Sequence, residues 1–182
     1  MNMSAHIQQR RRQLALVSAF ALGAAVIGGS AAAANTDTAT ATTTMVTPIA
    51  VVKAADLAFG NIASGASAGT VKVDTNGSRT VTGGVTAAGG TATAAKFDVT
   101  GQSGLSYDIS YSAGVTLTGP GTAMALTQIS DLSGAGSAST LVTSGTLTGG
   151  AQSIYIGGTL AVGASQTPGA YTASISATIN YQ

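Results

Sequence analysis

Gly169-Ala-Tyr-Thr-Ala-Ser-Ile-Ser-Ala-Thr-Ile-Asn-Tyr-Gln182 decides the fold class. Tyr171, Ala173, Ile175, Ala177, Ile179 and Tyr181 occupy every second position, and the residues between them are all polar. Successive side chains of a strand point to opposite faces. This period of two therefore predicts one long strand with an apolar face and a wet face. Pro168-Gly169 marks the turn that opens it. Such a strand either closes a sandwich or pairs with a partner, so Gly169 and the six alternating residues form the candidate assembly strand.

The same period recurs upstream. Phe97 and Val99 alternate with Asp98 and Thr100, and Leu105, Tyr107, Ile109 and Tyr111 alternate with Ser106, Asp108, Ser110 and Ser112. Met45–Lys53 reads as a first strand, placed at an edge by Pro48, which has no N–H for a ladder. Asp56–Ile62 puts Leu57 and Phe59 on one face. Gly69–Asp74 and Arg79–Thr82 flank Asn76-Gly77, a hairpin signal. A two-residue turn there sets Val73 opposite Thr80, and a longer loop sets it opposite Val81, so the register stays open. Ala123–Ile129 is another strand, and Gly83–Thr93 and Asp131–Ser144 read as loops. Ile154, Ile156, Leu160 and Val162 share parity across Gly157-Gly158, which reads as a bend or bulge in one long strand. Nine or ten strands, Gly-rich turns and no helical period predict an all-β chain folded as an antiparallel β-sandwich.

The opposite end of the chain reads as an export signal. Arg10–Arg12 is basic, Leu14–Ile27 is an apolar run, and Ala32-Ala33-Ala34 offers small residues for a signal peptidase. Residues 1–34 are read as the signal peptide, with Ala32, Ala34 and Asn35 around the cleavage site. Residues 35–44 form a flexible Thr/Ala leader and 45–182 the β-sandwich domain. The apolar run is shorter than the roughly 18–20 residues that span a bilayer, and nothing later is long enough to anchor the mature chain.

Composition narrows the chemistry. The chain has no cysteine and no glutamate, and its one histidine is His6 within the signal. From Asn35 onward, Lys53, Lys72, Arg79 and Lys96 face six aspartates. That mildly acidic, charge-poor surface argues against nucleic acid, which needs clustered Lys and Arg. No Ser-His-Asp or Cys-His arrangement can be built, and zinc lacks its usual N and S ligands. Asp98 and Asp108, expected on neighbouring strands, are the only pair considered for acid–base work, and both fall at polar-facing positions. They read as solvated surface carboxylates. Asp74-Thr-Asn-Gly77 reads as a turn rather than a calcium loop, and Tyr155 as a sheet-surface tyrosine. No catalytic residue, metal or cofactor is expected.

An ordered set of short segments adds to this reading. It comprises Asp56-Leu-Ala-Phe-Gly60, Gly69-Thr-Val-Lys-Val73, Phe97-Asp-Val-Thr-Gly101, Gly157-Gly-Thr-Leu-Ala-Val-Gly163, Gln166, Gly169-Ala-Tyr171 and Asn180-Tyr181. The set resembles the bacterial family called domain of unknown function 4402. That family is similar in turn to spore coat protein U and the archaic chaperone–usher pilins, which implies an immunoglobulin-like, fibre-forming subunit. Gly169, fourteenth from the end, and Tyr181, next to last, resemble the terminal strand of such pilins. The resemblance implies self-assembly, with a periplasmic chaperone and an outer-membrane usher as partners. The expectation is an exported structural subunit of a surface fibre or coat, located in the periplasm or at the cell surface and assembling by strand exchange or edge pairing. The alternative is a monomeric secreted binding module, with glycans as one ligand class, using the loops Thr86–Thr93 and Asp131–Ser144.

Overall fold

A computed structural model describes residues 35–182 of the chain. The expected signal, with Ala32 and Ala34 of the expected cleavage site, lies outside the described residues. Ten strands follow the leader: β1 (Ala50–Ala55), β2 (Ile62–Val73), β3 (Arg79–Ala87), β4 (Ala95–Thr100), β5 (Ser106–Tyr111), β6 (Thr116–Leu117), β7 (Met124–Asp131), β8 (Ser144–Thr146), β9 (Ala151–Val162) and β10 (Ala177–Tyr181). All pairings are antiparallel. One sheet runs β1-β4-β9-β2-β3, with β7 also on β9 and β6 on β7, and a second runs β10-β5-β8.

β9 organises the larger sheet. Its residues 151–156 pair with β4 and 158–162 with β2, while β7 pairs along 155–160. β7 overlaps both neighbours, so it holds one edge of β9, and β4 and β2 share the other. The hand-over falls at Gly157-Gly158. A Cβ on Gly157 would press on the Val73 carbonyl, and one on Gly158 would lie 2.8 Å from the Thr127 carbonyl. The glycine pair read from sequence as a bend is the point where β9 changes partner.

Burial follows the pleat. Phe97 and Val99 of β4 and Ile154 and Ile156 of β9 meet Tyr107 and Ile109 of β5 and Ile179 of β10, closing one half of a sandwich. The other half gathers Val71, Val73, Val85, Leu126 and Leu160 from the larger sheet. No strand of the second sheet covers that half. Half-buried Leu57, Leu117, Tyr171 and Ile175, three of them outside any strand, lie against it instead.

Four expectations change. The terminal strand is five residues, not fourteen. Before Ala177 the chain makes one bridge, Thr172 with Thr118, and Ala173 is exposed. The alternation is present, but a ladder also needs a neighbour, and 173–176 have no ladder partner. The first strand begins at Ala50, after Pro48, and lies at an edge as Pro48 indicated. The hairpin register is neither of the two weighed: Val71 pairs with Val81 and Val73 with Arg79. The Asp74 N–H donates to the Ser78 carbonyl and the Gly77 N–H to the Asp74 carbonyl, leaving a three-residue turn with Gly77 at φ +81°. Finally, Gly83–Ala87 is strand rather than loop. Gly83 and Gly84 lie against the Ala68 and Ser67 carbonyls, where a side chain has no room.

The Asp131 carboxylate ties this hairpin to the loop after β7. It accepts the Thr75 hydroxyl and the N–H groups of Ser133 and Gly134. Burial pushes its carboxyl up, but hydrogen bonds from Thr75, Gly134, Ser133 and Ala135 outweigh that and hold it below the ordinary carboxylate range. The unfolded chain therefore binds this proton more readily. The stabilisation is complete above the ordinary value and is lost as pH falls through the folded one. Asp131→Asn is expected to cost about 1–2 kcal/mol near neutrality. Urea titrations should show that deficit narrowing below about pH 4.

Candidate assembly groove

The uncovered half of the sandwich opens as a groove of about 730 Å³. One wall is the stretch after β1, from Asp56 to Ile62, and the other is Gly169–Ile175, the chain entering β10. Phe59, Leu126 and Leu160 are among the core residues that line it. The seven candidate assembly residues therefore split. Gly169, Tyr171, Ala173 and Ile175 line the groove, whereas Ala177 belongs to β10 with Ile179 and Tyr181. β10 pairs only with β5 among the described strands, so its other edge carries no ladder.

Local chemistry holds the walls. The Arg79 guanidinium donates from one nitrogen to the carbonyls of Phe59 (2.8 Å), Gly89 (3.1 Å) and Asn61 (3.3 Å). It thereby fixes the loop that carries Phe59, a role that its position beside a hairpin turn does not announce. Without this side chain the three carbonyls lose their shared donor. Arg79→Ala is expected to lose about 1–2 kcal/mol. Faster amide exchange at Asn61 and Ala88, whose N–H groups bond within this loop pair, should report it. On the other wall the Tyr171 hydroxyl donates to the Thr167 carbonyl at 2.8 Å, and Gln166 Nε2 reaches the same hydroxyl at 3.0 Å.

Tyr181 acts at the opposite end of β10. Its hydroxyl receives the Gln102 N–H at 2.6 Å and donates to the Thr47 carbonyl at 2.8 Å. The ring leaves Gly101 no room for a side chain. Tyr181 thus pins the place where the N-terminal arm joins the body. Its hydroxyl is engaged within its own chain.

The exposed large apolar residues of the described chain are Met45 (90%), Val46 (46%), Val51 (39%) and Val52 (65%). All four fall within eight residues of the arm and β1. The arm joins near Gln102 and Tyr181, whereas the groove is lined from Lys53 onward and before Ala177, at the far end of β1. A six-residue strand separates the two ends by roughly 20 Å.

The other candidates separate. Asp98 is on β4 and Asp108 on β5, in different sheets rather than on neighbouring strands. Each sits between two buried residues, so the two carboxylates face outward on opposite sides of the sandwich. Asp98 is held below its ordinary range by a hydrogen bond from Ser153 and by Lys96, 3.0 Å away. Asp108 accepts from Gln182 at 2.7 Å. Tyr155 lies against the Gly134 backbone, with the Lys96 ammonium 5.9 Å from its ring centroid. Among the described residues no three His, Cys, Asp or Glu side chains gather as for a metal, and no helix is long and apolar enough to cross a membrane.

This is an all-β, antiparallel sandwich with one open flank. The chain belongs to the family described as domain of unknown function (DUF4402), whose model matches residues 49–181. No curated protein matches it significantly.

Proposed function

We propose that this chain is an exported structural subunit of a bacterial surface fibre or coat, assembled by strand exchange between copies. The observation that carries the reading is a pair of unmatched surfaces on one molecule. The groove, where Phe59, Leu126, Leu160 and Ile175 lie among polar residues, lacks a covering strand, and Met45 and Val46 of the Thr-rich arm are exposed and outside any strand. A strand seated between the Asp56–Ile62 and Gly169–Ile175 walls covers the groove, and each backbone hydrogen bond it makes there is worth roughly 1 kcal/mol. Because Thr47, where the arm leaves the body, and the groove lie at opposite ends of β1, each copy offers one surface to the next. Such heterologous contacts generate open filaments unless the rotation closes.

The likeness to archaic chaperone–usher pilins supports the same role, with a periplasmic chaperone protecting the groove before an outer-membrane usher adds the subunit. Negative-stain imaging of the purified chain starting at Asn35 tests the reading. Filaments that disappear when residues 35–46 are removed are expected. Monomers at every concentration, with or without those residues, would favour a secreted binding module.

A further inference from the structure

Thr36, Thr38, Thr40, Thr42, Thr43, Thr44 and Thr47 crowd the stretch that ends at Pro48, and Asp37 is its one charge. Every residue from Asn35 to Pro48 is exposed and outside any strand. The Thr38 N–H bonds the Asp37 carboxylate at 2.9 Å, and the Thr47 hydroxyl reaches Gln102 at 3.3 Å. The hydroxyls from Thr36 to Thr44 have no partner among the described residues. Threonines of the body differ. Thr75 is buried, Thr70 and Thr82 hydrogen-bond to each other across paired strands, and Thr93 donates to the Asp56 carbonyl. An enzyme that modifies a side chain must take the surrounding backbone into its cleft. A threonine in a ladder reaches such a cleft only when its strand opens, whereas one in the arm needs no opening.

Composition gives these hydroxyls a use. From Thr38 to Val46 the arm is rich in β-branched residues and has no charge, glycine or proline. That is the signature of a segment prone to stack with its own copies. Neither folding nor charge protects it. Attached sugars, bulky and hydrated, would. An exposed, Thr-rich stretch closed by proline has the composition of an O-glycosylated stalk.

We infer that the Thr36–Thr44 stretch is an acceptor for O-linked sugar. The step joins a threonine Oγ1 to the anomeric carbon of a phosphate-activated sugar. The bond from that carbon to the donor phosphate breaks, the phosphate leaves with its electron pair, and the hydroxyl proton passes to a base of the transferase. The inference rests on the arm's exposure and composition, not on strand exchange, and the two are compatible. In an extended arm Thr36, Thr38, Thr40, Thr42 and Thr44 share one stripe, so sugars there leave Ala39, Ala41 and Met45 clear on the other.

The test uses the chain purified from the cells that make it. No lysine or arginine lies between Asn35 and Lys53, so trypsin releases the whole arm on one peptide ending at Lys53. Mass spectrometry should find that peptide heavier by one or more sugar residues. Fragmentation that keeps the sugar attached should place it between Thr36 and Thr44. Mild alkali should eliminate the sugar and leave dehydrated threonine. Thr36→Ala, Thr38→Ala, Thr40→Ala, Thr42→Ala, Thr43→Ala and Thr44→Ala, made together, should abolish the mass shift, and an unchanged thermal melt should show that the body still folds. An arm peptide of unmodified mass would overturn the inference. So would sugar confined to peptides after Lys53, a phosphate in place of sugar, or a shift that survives those replacements. Any of these results would leave strand exchange standing.

Discussion

Gly157→Val is expected to destabilise the fold by more than about 3 kcal/mol, enough to leave much of a marginal domain unfolded. Strand propensity alone points the other way, since valine is the better strand former. Packing decides against it. Gly157 sits where β9 passes from β4 to β2, and its Cα faces the Val73 carbonyl and the start of the Asp74–Ser78 turn. Those are backbone atoms at the end of β2 and in the turn after it, and unlike a flexible side chain they cannot swing aside. Relief would require separating β2 from β9, which removes pairings that bury Val71 and Leu160. Gly163→Ala is the control. There the nearest atom to an added Cβ is the end of the Gln166 side chain, at 3.1 Å. It should stay within about 0.5 kcal/mol of wild type. Urea unfolding of both variants, followed by far-ultraviolet circular dichroism, measures the difference.

Ile175→Asp is expected to abolish assembly while leaving the monomer folded. From the alternation alone, Ile175 is a core residue of a long strand, and a charge there should prevent folding. The structure places it in the wall of an open groove, half-buried and outside any strand. An aspartate there can keep its hydration in the monomer, so the cost should be about 1–2 kcal/mol. Once an arm covers the groove, the same carboxylate becomes a buried, unpaired charge. Ile156→Asp makes the contrast. Ile156 is fully buried between the sheets, and that variant should not fold. Thermal melts and sedimentation of the two variants separate the effects. Unfolding of both would mean that Ile175 belongs to a closed core and that the groove is not a docking site.

Most strands were legible because the pleat writes itself into sequence wherever one face is buried. Tyr107 and Ile109 between Ser106 and Asp108 give β5 directly, and Phe97 and Val99 give β4. Gly83–Ala87 was hidden for a physical reason. Two glycines there admit close backbone approach to β2, and residues chosen for absence of a side chain leave no hydrophobic period. The terminal stretch was half legible. Its alternation is real, but pairing depends on whether a neighbour lies alongside, which one strand's own sequence cannot encode. The groove was illegible for the same reason. It is the absence of a strand, and it arises from the topology that brings Phe59 and Ile175 to one open flank.

A chain with no native cysteine allows a direct test of whether the arm of one copy enters the groove of the next. Met45→Cys places a thiol on the exposed arm, and Ile175→Cys places one in the groove wall. The chain starting at Asn35 and carrying both changes is treated with a short bis-maleimide and separated under denaturing conditions. Exchange between copies predicts a ladder of dimers, trimers and higher species, absent from Met45→Cys with Ile175 intact beyond its dimer. Cross-linked monomer alone, or no cross-link at all, would contradict assembly by strand exchange.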